Sequence, residues 1–154
     1  MAELKEGDIA PKFTSKDQNS NTISLSDFAG KEVILYFYPK DDTPGCTVEA
    51  CNFRDNYQSL QQQGYSVIGV STDDEKSHQK FINKYQLPFT LISDTDKTIV
   101  EAYGVWVEKN MYGKKYMGTA RKTFIIDKEG IIKKIIDKVD TKEASKQVLD
   151  LLST

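Results

Sequence analysis

The segment from Glu32 to Cys46 constrains this chain most. Glu32 to Tyr38 is rich in Val, Ile, Tyr and Phe and stops at Pro39, the pattern of a buried strand closed by a breaker. Residues 39 to 45, Pro-Lys-Asp-Asp-Thr-Pro-Gly, hold two prolines, a glycine and two aspartates, so the chain must turn there. From Cys46 to Gln63 the spacing becomes helical, with Val48, Cys51, Tyr57 and Leu60 apolar among polar residues, and the run ends at Gly64. The order is strand, loop, helix, with a cysteine where the helix begins.

The rest of the chain alternates in the same way. Ser66 to Val70 reads as a strand, and Ser71-Thr72-Asp73-Asp74 caps a helix running to about Tyr85. Leu91 and Ile92 suggest a short strand after Pro88, followed by a brief helix from about Asp96 to Tyr103. Gly104 to Gly118 reads as irregular. Thr123 to Asp127 and Ile131 to Val139 form a strand pair joined at Lys128-Glu129-Gly130, where glycine frees the backbone. A helix from about Thr141 to Leu152 follows, with Val148, Leu149 and Leu152 placed to pack on the sheet. Alternation followed by a hairpin and a helix predicts an α/β sandwich with a mixed sheet.

A length of 154 residues suits one domain with its own core, spanning 1–154. The 21 basic and 23 acidic side chains are dispersed, which offers nucleic acid no basic face. The apolar runs are too short to cross a bilayer. The start, Met1-Ala2-Glu3-Leu4-Lys5-Glu6, lacks the pattern of a secretory signal, so the expected location is cytoplasmic. Two cysteines do not make a disulfide scaffold, and one histidine leaves too few ligands for an ordinary zinc site. No metal or other cofactor is implied, so the cysteines matter through their own chemistry if they matter at all.

Cys46 stands at a helix N-terminus, where unsatisfied N–H donors and partial positive charge favour a thiolate. A buried, inert cysteine is the ordinary alternative. Thr43, three residues earlier, can turn its hydroxyl toward the sulfur or a bound oxygen, or can serve as a plain turn or cap residue. Cys51 follows Cys46 by five positions, which on an intact helix means a turn of about 140° and a Cα separation of roughly 8 to 9 Å. A disulfide requires a separation below roughly 7 Å. If these two cysteines bond, the first turns of the helix must unwind. Otherwise Cys51 is a core-facing residue of that helix.

The arrangement Pro39-x-x-x-Thr43-x-x-Cys46 resembles the active-site motif of peroxiredoxins, and Thr-Pro-Gly-Cys followed by Cys51 is similar to the BCP/PrxQ subgroup. The similarity runs from about Ala10-Pro11-Lys12-Phe13 through the C-terminal helix. It implies a thioredoxin-like α/β sandwich, with a central mixed β-sheet flanked by helices and an N-terminal β-hairpin. It also implies a peroxidase cycle. Cys46 is then the peroxidatic cysteine, Thr43 positions the peroxide, Pro39 shields the sulfur, and Arg121 stabilises the charge that moves during attack. Cys51 is the resolving cysteine, forming an intramolecular disulfide with Cys46. Hydrogen peroxide and organic hydroperoxides are the implied substrates, and thioredoxin or a similar dithiol protein the implied reductant. A monomer suffices, since the partner sulfur lies in the same chain, and no long cysteine-bearing tail follows the last helix.

Two other readings compete with this one. A thiol-disulfide oxidoreductase usually carries CxxC at the helix start, which is absent here. A redox sensor would oxidise at Cys46 without turning over. Among the remaining residues, Trp106, Met111, Tyr112, Tyr116 and Met117 are expected to pack a loop or to rim the site for organic hydroperoxides. His78 is expected on a solvated helix face, and Glu49 as a favourable charge near the helix N-terminus, the alternative being that it tunes the site.

Overall fold

A computed structural model describes residues 3–152. Its centre is a five-stranded sheet made of β3 (Glu32–Phe37), β4 (Tyr65–Ser71), β5 (Thr90–Ser93), β8 (Lys122–Ile126) and β9 (Ile132–Ile136), in the order β5-β4-β3-β8-β9. β3 lies parallel to β4 and antiparallel to β8, so the sheet is mixed as expected. Alternation along β3 sends Val33, Leu35 and Phe37 to one face and Ile34 and Tyr36 to the other, and both faces are buried. On the first face lie α4 (Thr98–Ala102) and the N-terminal hairpin of β1 (Thr14–Lys16) and β2 (Thr22–Ser24). The second face is covered by α1 (Pro44–Asp55), α2 (Tyr57–Gln62), α3 (Glu75–Tyr85) and α5 (Ala144–Leu152). This is the thioredoxin-like sandwich.

Three expectations need correction. The helix expected over 46–63 is two helices, broken at Asn56, whose backbone (φ −110°, ψ 7°) leaves the helical region. The buried side of α1 is Cys46, Glu49, Ala50 and Phe53 rather than the stripe through Val48 and Cys51; Val48 is 40% exposed. The segment 104–118 is not irregular. It is a projecting hairpin of β6 (Trp106–Met111) and β7 (Lys114–Thr119), turned at Tyr112 and Gly113, both with positive φ. Trp106 packs on the core, whereas Met111, Tyr112, Tyr116 and Met117 are exposed. In α5, Val148 is buried and Leu149 packs beside it, while the side chain of Leu152 lies outside the described residues.

No helix among the described residues is long and apolar enough to cross a membrane.

Candidate active site

β3 delivers the chain to the site. Beyond Phe37 the strand gives way to Tyr38 and half-buried Pro39, and the loop then climbs to the start of α1, with Asp42 in the left-handed region. Thr43 is the N-cap and Pro44 the first helical residue, where its missing N–H costs nothing. Cys46 therefore sits in the first turn, at the positive end of the helix, and is 1% exposed.

Arg121 reaches the sulfur from the position directly before β8, the strand paired with β3. Its Nη2 donates to Cys46 Sγ at 3.3 Å and its Nη1 to Glu49 Oε1 at 2.7 Å. Gly45 makes room for this crossing, since a Cβ there would stand 3.1 Å from Arg121 Nη2. Burial pulls the Arg121 guanidinium toward deprotonation, but the neighbouring Cys46 and Glu49 outweigh it and hold the charge. Lys109 on β6 is a further cation whose ionisation senses both Arg121 and Cys46; burial pushes its own value down.

Glu49 is more than the favourable helix-terminus charge expected from sequence. It is fully buried, and Oε2 has no hydrogen-bond partner. Burial pushes its carboxyl up to about 7, against the opposing pull of Arg121. Beneath it lies Tyr36, whose hydroxyl is also buried without a partner and whose ionisation is pushed far upward by burial, then by Glu49 and Cys46. A helical stripe at 46, 49, 50 and 53 was the available signal for Glu49, because it shares the face that buries the cysteine.

The other site residues are placed as follows. The Thr43 hydroxyl donates to Lys40 O at 2.9 Å and so closes its own loop instead of pointing at the sulfur. Cys51 is a free, half-buried thiol on the same intact helix as Cys46, turned away from it by about 140°.

Comparison with known proteins decides the family. The AhpC/TSA family pattern matches residues 7–135. The chain belongs to the AhpC/TSA family. Peroxiredoxin Bcp of Escherichia coli K12 is 46% identical over 152 residues, covering 99% of this chain and 97% of the relative. Peroxiredoxin Bcp of Bacillus subtilis is 46% identical over 149 residues, covering 97% and 95%. Among solved structures, a cysteine-to-serine variant of PrxQ from Xylella fastidiosa superposes with a TM-score of 0.88 at 32% identity, covering 99% of this chain and 98% of that one. A bacterioferritin comigratory protein from Xanthomonas campestris, studied for alkyl peroxide reduction, has a TM-score of 0.86 at 35% identity, covering 92% and 90%. This peroxiredoxin is thus a thiol peroxidase of the BCP/PrxQ kind, an oxidoreductase that acts on peroxides with a thiol reductant.

Proposed function

We propose that this peroxiredoxin works as one domain spanning residues 1–154, a cytoplasmic monomer, and reduces hydrogen peroxide and organic hydroperoxides through Cys46. The observation that carries the reading is the 3.3 Å contact of Arg121 Nη2 with a buried sulfur at a helix N-terminus. Cys46 thiolate attacks one peroxide oxygen, the O–O bond breaks, and the other oxygen leaves as water or an alcohol after taking a proton. The sulfur is oxidised to sulfenic acid and the peroxide is reduced. Negative charge moves from sulfur to the leaving oxygen within reach of one guanidinium, which therefore stabilises both ends of the shift. Pro39 restricts water at the loop. Thr43 acts from the N-cap, where a modest turn of its hydroxyl away from Lys40 meets a bound peroxide oxygen.

Cys51 then condenses with the sulfenic acid, releasing water and forming an intramolecular disulfide that thioredoxin or a similar dithiol reduces. Both cysteines lie on α1, so the bond requires that helix to unwind over residues 46–51. Peroxidase turnover with a thioredoxin system tests the assignment. Cys46→Ser is expected to abolish peroxide reduction, while Cys51→Ser reacts once and stalls. Full activity in Cys46→Ser would overturn the central role, and full thioredoxin-linked turnover in Cys51→Ser would mean the reductant attacks the sulfenic acid directly.

A further inference from the structure

His78 does not lie on a solvated face as its sequence surroundings suggest. It is fully buried and held at both ring nitrogens. Nε2 lies 2.9 Å from the Ile92 carbonyl, which can only accept, so this nitrogen carries a proton. Nδ1 lies 2.6 Å from Asp41 Oδ2. Asp41 also accepts from the Tyr38 hydroxyl at 2.5 Å and the Ser77 hydroxyl at 2.8 Å. Its own N–H donates to Asp73 Oδ2 at 2.8 Å, and Asp73 takes the Ser71 hydroxyl at 2.7 Å. With Nε2–H on the Ile92 carbonyl and the Tyr38 and Ser77 hydroxyls already donating to Asp41, the Nδ1–Oδ2 contact completes a hydrogen-bonded cluster that ties the loop to α3. Burial opposes the charge, but Asp41, the Ile92 carbonyl and Asp73 together raise the His78 value above its ordinary one.

The place of this cluster is informative. Asp41 belongs to the loop between β3 and α1, whereas Ser77 and His78 are on α3, Ile92 on β5 and Ser71 at the end of β4. The next residue, Asp42, is tied to Lys84 Nζ at 2.8 Å and to the Tyr85 hydroxyl at 2.9 Å, also on α3. Two successive residues of the loop are therefore clamped to one helix, five and four positions before the reactive cysteine. Clamping ends at Thr43.

We propose that His78 is a positioning residue for peroxide reduction: through Asp41 it holds the Pro39-to-Thr43 loop, and with it the first turn of α1, in the attacking geometry, and it makes residue 44 the boundary beyond which the helix unwinds. The boundary rests on the disulfide proposed above; the positioning role does not. A clamp on the loop stabilises the folded site that peroxide attack needs and contributes nothing to the unwound state that disulfide formation needs. Loss of the clamp therefore acts on the two steps differently.

Rapid-quench mass spectrometry of the reduced protein mixed with hydrogen peroxide separates the two steps. In His78→Asn and in Asp41→Asn, sulfenic acid formation is expected to slow by about 10- to 100-fold, the cost of a small misplacement of a reacting group. Conversion to disulfide proceeds at least as fast as in wild type. Val148→Ala, a core truncation in α5, lowers the melting temperature and leaves the first step unchanged. First-step rates within twofold of wild type in the folded variants, or a parallel loss of both steps, would overturn the positioning role. If neither variant folds, Ser77→Ala removes one donor to Asp41 and is expected to show the same asymmetry at about threefold. Amide exchange of oxidised wild type tests the boundary: the hydrogen-bonded amides of Tyr38 and Asp41 stay protected while those of 46–51 exchange, and equal exchange at both places would overturn it. A wild type that never forms the disulfide removes the boundary together with the resolving role of Cys51, and the first-step rates still decide His78.

Discussion

Two buried carboxylates flank Cys46 in sequence, and they live in opposite circumstances. Asp41, before it, takes hydrogen bonds from Tyr38, Ser77 and His78, and its own backbone N–H is bonded to Asp73. Glu49, after it, has one oxygen bonded to Arg121 and the other bonded to nothing. A fully satisfied buried charge holds its surroundings in one arrangement, and a half-satisfied one leaves its helix with less to lose by moving. The contrast sets a loop held by satisfied hydrogen bonds against a helix that carries an unsatisfied buried group.

The largest effect should come from removing the satisfied member. Asp41→Ala leaves a buried imidazole and two hydroxyls without their partner, and urea unfolding is expected to show a loss of about 3 to 5 kcal/mol. A loss below about 1 kcal/mol would erase the distinction between the two carboxylates. Next comes Arg121→Ala, which strips the sulfur of its donor and the Glu49 carboxyl group of the guanidinium bonded to it. Stopped-flow measurement of peroxide reduction is expected to show a fall of about 10²- to 10³-fold, the usual cost of losing a charge-stabilising donor.

Glu49→Gln sharpens the comparison because its effect on stability has the opposite sign. The folded value of about 7 stands above the ordinary 4.5, so the folded state retains a proton that the unfolded state has released. Whatever stability this protonation supplies is complete below the unfolded value and is lost as pH rises toward the folded one. Relative to Glu49→Gln, wild type should lose about 1.4 kcal/mol per pH unit across that window, on the order of 3 kcal/mol in all, and level off above it. Parallel stability profiles for the two proteins would show that burial of Glu49 is harmless. The smallest effect is expected from Gly45→Ala, whose Cβ would crowd Arg121 Nη2 at 3.1 Å; a several-fold slower peroxide reaction with little change in melting temperature is the expected outcome.

Legibility of the fold followed burial. The strand over Glu32 to Tyr38 and the capped helix ending near Tyr85 announce themselves because one dominant environment acts on each, and β3 and α3 match them closely. The hairpin of β6 and β7 did not announce itself. Most of its residues face solvent, so no alternation of apolar and polar side chains marks it, and beyond Trp106 cross-strand pairing keeps it extended. Its turn uses Tyr112 in the left-handed region, a residue that does not advertise such a conformation. His78 misled for a related reason. It shares its helix with many polar residues, and only the approach of Asp41 and the Ile92 carbonyl gives it a buried place.

By itself the sequence determined the strand-loop-helix order around Cys46, the cysteine at the start of a helix, and the five-residue spacing that obliges the helix to open if Cys46 and Cys51 join. These are local properties, set by turn chemistry and helix geometry within a short stretch. Only the tertiary structure decided what surrounds the sulfur. Arg121 lies 75 positions away from Cys46, and His78 lies 37 positions away from Asp41. Ionisation and hydrogen bonding depend on which charges and carbonyls approach within a few ångströms, and that is set by the packing of helices on the sheet rather than by neighbours along the chain.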